Sequence, residues 1–285
     1  MNKIYLATVF IFFFVNTFCQ LNNYDKDGNK TKLASEKIAI SITTPQERTE
    51  AGGFLLSTIE NILPIGINAV KTAMSNRQES FTATYSGNLS GNKLMVKNEF
   101  LNLETIIIKR NTIDNNNNPL TASQIILKVE QDGAAFRFST KEIDFDRSKA
   151  RIKKHGNKGK TIDLNIDIRV DALWKVYDDK KPNQFSLKSS TLGESSITVN
   201  GIRPGDHNTD VINSNWFQMI PSAPDGVTSE LRGRGWYNIT VTVKEANPYG
   251  VTSKKIADFF SSNSGDLSTL IKGFLESSKS SSKDN

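Results

Sequence analysis

TIDLNIDIRVDALWKV, residues Thr161 to Val176, carries an apolar side chain at every even position and a polar one at every odd position as far as Asp171. A period of two held this long specifies one half-buried β-strand, because successive side chains point to opposite faces. At strand rise the stretch would run about 50 Å, longer than a typical strand, so a bend is expected. Apolar Leu173 breaks the outward polarity and Trp174 follows, which places that bend near Asp171 to Leu173.

Working outward, a natural neighbour for this strand is Tyr237 to Lys244, the second-clearest strand in the sequence. There Tyr237, Ile239, Val241 and Val243 point one way and Asn238, Thr240, Thr242 and Lys244 the other. Similar alternation occurs at Ile38–Ile42, at Phe81–Tyr85 before Gly87, at Ile125–Val129, and at Phe136 with Phe138, continued by Ile143 and Phe145. Ile106 to Ile108 is an apolar run, and Phe185, Leu187, Ile197 and Val199 suggest two shorter strands. Turns are expected at Asn115–Pro119, Asp132-Gly133 and Asn247–Gly250.

The segment Arg147–Lys160 holds seven basic residues and no acidic one. If Ala150 and Ile152 face the core, Arg147, Lys149, Arg151 and Lys153 lie outside. The simplest reading is a hairpin through Gly156–Gly159, in which these four face Asp163, Asp167 and Asp171 across an antiparallel pair. Lys154, Lys158 and Lys160 then remain near the tip as a patch for an anionic partner.

Two regions read as helical. Thr44-Pro45-Gln46-Glu47 is a helix start with a capping threonine, and the pattern runs to residue 78 with interruptions at Gly52-Gly53 and Pro64–Gly66. Within it Phe54, Leu55, Ile59, Ile62 and Leu63 form an apolar stripe. The stripe fits either packing on a sheet or an amphipathic helix that reaches a membrane or a partner through residues 54–70. Residues 253–277 also carry apolar positions at helical spacing. The expected fold is thus mainly β (α+β): an antiparallel β-sandwich over 79–252, with N-terminal and C-terminal helical segments packed on it. A polar leader with a possible first strand (21–43) precedes it, and a tail (278–285) follows.

Residues 1–20 have the form of a signal peptide: Lys3, the apolar run Ile4–Val15, and Thr17 and Cys19 before a cut at Gln20. Cys19 is the chain's only cysteine. Cleavage after it leaves a thiol-free protein; lipidation of it would anchor the protein to a membrane, although Asn16-Thr17-Phe18 lacks the usual preceding residues. Export places the protein in a periplasmic, outer-membrane-associated or extracellular setting. With 37% hydrophobic and 23% charged residues and a net charge of +6, the composition is that of a globular chain with no nucleic-acid signature.

Candidate sites are few. The turn-rich stretch GIRPGDHNTD gathers Arg203, Asp206, His207 and Asp210, where a histidine beside carboxylates could serve acid–base chemistry in an envelope hydrolase or hold a ligand. Trp216 and Phe217 form an aromatic pair suited to sugars or peptides. Asp25, Asp27, Asn29 and Glu36 have the spacing of a calcium loop, yet Lys30 stands where the turn glycine belongs. No cofactor other than calcium is suggested. No nucleophile-elbow, zinc-protease or phosphate-loop motif is present. A non-enzymatic envelope component that binds a surface protein or polysaccharide is the leading expectation, ahead of a membrane-active protein and a hydrolase.

Overall fold

The computed structural model describes residues 21–43, 81–91, 95–96, 100–101, 103–153, 160–178, 181–220 and 236–261. The protein is mainly β, and every strand pair is antiparallel. The strands are β1 (Asn22–Tyr24), β2 (Lys30–Thr43), β3 (Thr82–Gly91), β4 (Met95–Val96), β5 (Phe100–Leu101), β6 (Thr105–Asp114), β7 (Pro119–Asp132), β8 (Ala135–Phe145), β9 (Ile162–Asp178), β10 (Lys181–Ile202), β11 (Asp206–Asn208), β12 (Phe217–Gln218) and β13 (Trp236–Ala246). One helix, α1 (Ser253–Ser261), follows. The larger sheet runs β1-β2-β6-β7-β8-β11, with β12 also on β8; the smaller runs β10-β9-β13-β3; β4 and β5 form a separate ribbon.

The Thr161 stretch is β9, and its even face is the core. Ile162, Leu164, Ile166, Ile168, Val170, Ala172 and Trp174 are all buried there, joined by Tyr237, Ile239, Val241 and Val243 of β13. From the larger sheet Ile106, Ile108, Ile125, Leu127, Phe136, Phe138, Ile143 and Phe145 enter the same cluster. Burial of each such aliphatic side chain contributes about 1.5–3 kcal/mol, an upper figure since unfolded chains are partly collapsed.

Two glycines let the sheets approach at their edges. Gly87 of β3 faces Ile40 and Ile38 of β2, and Gly193 of β10 faces the ring of Phe217 in β12. A Cβ at either position would stand 2.9 Å from the nearest carbon. The second contact sits beside a bulge: Asp171 pairs with Thr191 but Val170 with Gly193, leaving Leu192 as an extra residue. This irregularity lies at the Asp171 end of the segment where a bend was expected, but in the neighbouring strand.

β9 pairs with β13 as expected, and a strand is present within 21–43 as β2. Two expectations are corrected. The other partner of β9 is β10, and Arg147–Lys153 is not a strand. Phe185 and Val199 lie in one strand, Lys181–Ile202, rather than two. β2 begins at Lys30, before Ile38, and forms a hairpin with β1. Its loop turns at Gly28 (φ 74°), where left-handed backbone suits glycine. The helical reading of 44–78 and the second half of 253–277 lie outside the described residues; α1 is the first part of the latter.

The basic segment instead crosses from the larger sheet to the smaller. Ala150 and Ile152 do enter the core. Its backbone is held at one point by Glu245, whose Oε2 accepts from Ser148 Oγ (2.8 Å), Lys149 N (2.6 Å) and Ala150 N (2.9 Å). Arg110, fully buried, donates to Asn23 Oδ1 (2.6 Å), Glu36 Oε1 (3.2 Å) and Arg147 O, and lies over the Tyr85 ring. Burial and nearby Glu245 push the Tyr85 hydroxyl pKa upward. Each basic residue from Arg147 to Lys153 has found its own partner: Arg147 with Asp25, Lys149 with Glu36, Arg151 over Phe81, and Lys153 with Tyr249 O.

Candidate binding edge on β8

The outer edge of β8 is covered intermittently by the chain that follows β10. Gly205 N donates to Phe145 O (2.7 Å), Thr140 N to Ile212 O (3.0 Å), Ser214 N to Phe138 O (2.8 Å), and Met219 N to Ala134 O (2.9 Å). β11 and β12 are the regular parts of this border. An irregular, polar border of this kind gives another strand little to pair with. It also sets the predicted site residues along one line, at its two ends.

At one end stands His207, whose side chain is 58% exposed. Its Nδ1 lies 2.6 Å from Asp144 Oδ1 and 3.9 Å from Glu142 Oε1. The hydrogen bond to Asp144 raises the histidine pKa, and the charges of Asp144 and Glu142 reinforce it. A bulge at Lys141 puts both acids on this face: Leu127 pairs with Thr140 and Ile126 with Glu142, so the outward set shifts from odd to even positions. Glu142, Asp144 and His207 could together offer oxygen and nitrogen ligands to a metal, their ligand atoms lying within 4.8 Å of one another. The same geometry is that of a histidine oriented by a carboxylate.

The other loop residues do not converge on His207. Asp206 accepts from Arg203 N (2.9 Å), and Asp210 N and Oδ2 both bond Asn208. These bonds shape the turn itself. The acids that do meet His207 come from β8, and nothing in the local sequence of the loop signals them.

At the other end the aromatic pair divides. Phe217 is buried, stacked 5.4 Å from Phe136 and edge-on to Phe138 at 5.3 Å. Trp216 points outward and is 47% exposed. The Arg137 guanidinium sits 4.8 Å from its ring centroid, and Glu130 Oε2 accepts from that guanidinium at 2.8 and 2.9 Å. Ser139 and Lys128 also reach Glu130, at 3.4 and 3.9 Å. The Arg137 hydrogen bond keeps the Glu130 carboxyl below its ordinary pKa. The result is an exposed indole with a guanidinium over its ring, itself paired with Glu130. Pairing on β8 puts it roughly 25 Å from His207 at strand rise.

The outer face of the smaller sheet is polar as well, with Asn165, Thr242 and Lys244 on it buried. Across it Thr198, Asn165, Lys244 and Thr84 form one row, and Ser196, Asp167, Thr242 and Ser86 the next. The aspartates expected to face the basic run are satisfied here. Asp163 accepts from Gly201 N, Asp167 from Ser196, Asn165 and Lys244, and Asp171 from Arg169 and Thr191.

The calcium-spaced residues are engaged with protein donors. Asp25 accepts from Asp27 N, Asn29 N and Asn29 Nδ2 and pairs with Arg147; Asp27 pairs with Lys160 at 3.2 Å; Glu36 meets Arg110 and Lys149. Asp114–Asn118 repeats the same five-residue loop, with Asn117 at φ 64° and matching bonds from Asn116 N, Asn118 N and Asn118 Nδ2. The two loops share one backbone solution, held by the carboxylate of the leading aspartate. Lys160 of the expected anionic-partner patch is thus paired, while Lys154 and Lys158 lie outside the described residues, as do Phe54, Leu55, Ile59, Ile62 and Leu63. Among the described residues no helix is long and apolar enough to cross a membrane.

Comparison with protein families, curated proteins and solved structures finds no match to this chain.

Proposed function

We propose that the protein is an exported, non-enzymatic binding or assembly component of a bacterial cell envelope or secreted surface, and that Trp216, Arg137 and Glu130 contact its partner. The two sheets then form an antiparallel sandwich carrying the helical segments of 44–78 and 253–277. One observation carries the functional part: an exposed tryptophan with a doubly bonded arginine over its ring. Trp and Arg dominate binding energies at interfaces, since they supply large, orientable contact area at little entropic cost. Indole rings also stack on sugar rings, so an envelope polysaccharide or a surface protein both suit this chemistry.

The test is co-sedimentation of the mature protein with isolated envelope fragments. Trp216→Ala should reduce the bound fraction at least tenfold, as expected for loss of an anchor worth more than about 1.4 kcal/mol. Equal retention of wild type and Trp216→Ala would remove the basis of the reading. A hydrolase centred on His207 is the second reading, supported by the Asp144–His207 contact; its exposure on a sheet border and the inward use of Asp206 and Asp210 weigh against it. Loss of envelope-polymer cleavage in His207→Ala would be its signature.

A further inference from the structure

Lys244 stands apart from the other lysines. Its side chain is 1% exposed, on the outer face of β13, and Nζ donates to Asp167 Oδ2 (2.6 Å) and to Phe260 O (2.6 Å) at the end of α1. The second bond caps one of the helix's open carbonyls and opposes its dipole. The first has more consequence. Asp167 also accepts from Asn165 Nδ2 through Oδ1 (2.6 Å), and Asn165 is itself buried. Asn165 is the direct cross-strand partner of Lys244. Side chains so placed start about 4.5–5.5 Å apart at Cβ, within easy reach of a lysine. The remaining group of Asn165, its carbonyl oxygen, accepts from Thr198 Oγ1 (3.0 Å).

We infer that Lys244 and Asn165 form an intramolecular amide joining β13 to β9, with Asp167 as its proton carrier. Every part of the reaction is present. Asp167 takes a proton from the Lys244 ammonium, which frees the lone pair of Nζ on a side chain only 1% exposed. Nζ attacks Cγ of Asn165 while the Thr198 hydroxyl stabilises charge on the carbonyl oxygen. As the amide forms Nζ gives up a second proton through Asp167, the Cγ–Nδ2 bond breaks, and the leaving nitrogen, having taken both protons, departs as ammonium. One C–N bond forms, one breaks, and no oxidant or other reactant is needed. Asp167 is a poorer acyl partner, because no second carboxyl faces it among its contacts to carry the proton. In a chain whose only cysteine is Cys19, such a bond would tie residues 165 and 244 as a disulfide ties a long loop.

Tryptic digestion of the denatured purified protein tests this. The expected product is a branched peptide in which 161–169 is joined to 235–254, uncut at Lys244 and lighter than the summed linear peptides by one ammonia. Lys244→Met should return 161–169 as a linear peptide. Recovery of wild-type 161–169 and 235–244 only as separate linear peptides overturns the proposal, whether or not the variant folds. A branched peptide lighter by one water would also overturn it, since the acyl group would then be Asp167.

Discussion

Gly193→Ala tests how the sheets meet at the β8 border. The added Cβ would lie 2.9 Å from Phe217 Cδ1, 3.4 Å from Cε1 and 3.5 Å from Cγ. Phe217 cannot step aside easily, since it is stacked on Phe136 and edge-on to Phe138 in a fully buried cluster. Overpacking of this kind costs about 1–3 kcal/mol. Gly193 is not among the positive-φ glycines, so alanine also restricts the unfolded chain and gives back about 0.4–1 kcal/mol. The net expectation is a loss of about 1–2 kcal/mol, read as a lower urea midpoint with unchanged slope. Gly87→Ala is the matched control. Its Cβ meets the mobile end of partly buried Ile40, which can rotate away, so that variant should be close to neutral. Combining Gly193→Ala with Phe217→Leu should cost less than the sum of the two single changes, because the shorter side chain relieves the clash. If Gly193→Ala is as stable as wild type while Gly87→Ala is not, the described approach of β10 and β12 is wrong.

Further expectations concern the buried charges and the border histidine. Glu245→Ala leaves the donors of Ser148, Lys149 and Ala150 without their shared acceptor, and should cost about 3–5 kcal/mol and speed tryptic cleavage within 147–153. Unchanged cleavage would show that Glu245 does not hold the crossover. His207 has a raised pKa in the folded protein, so its pairing with Asp144 stabilises the fold fully below the ordinary histidine value of 6.5 and fades as pH rises through the raised value. Asp144→Asn should therefore lower the His207 pKa in an NMR titration and reduce stability on the acid side only; an unmoved histidine titration would refute the contact.

The inner face of β9 was legible because an alternating pattern needs only one buried side to declare itself. Its neighbour β10 was harder to read. Around Lys188–Ser196 the strand is built largely on serine, threonine and glycine, so no apolar period marks it, although it pairs with apolar positions of β9 such as Leu173, Ala172 and Ile168. The basic run misled for a related reason. Charge complementarity shows that Asp163, Asp167 and Asp171 need donors, but donors can come from any direction, and Lys244, Arg169 and a backbone amide supply them. Trp216 and Phe217 stand out together in the sequence as an aromatic pair. Which of the two faces water depends on the register of β12 against Phe136, which adjacent positions in sequence do not encode. His207 was visible as a titratable residue, whereas Glu142 and Asp144 became its partners through a one-residue bulge more than sixty positions away.

Hydrogen exchange, read by mass spectrometry with and without soluble polymer released from the envelope, tests the proposed binding surface most directly. Added protection should fall on peptides containing Arg137 and Trp216, leaving those of 147–153 unchanged. Protection confined to the basic crossover, or no change anywhere at saturating polymer, would contradict it.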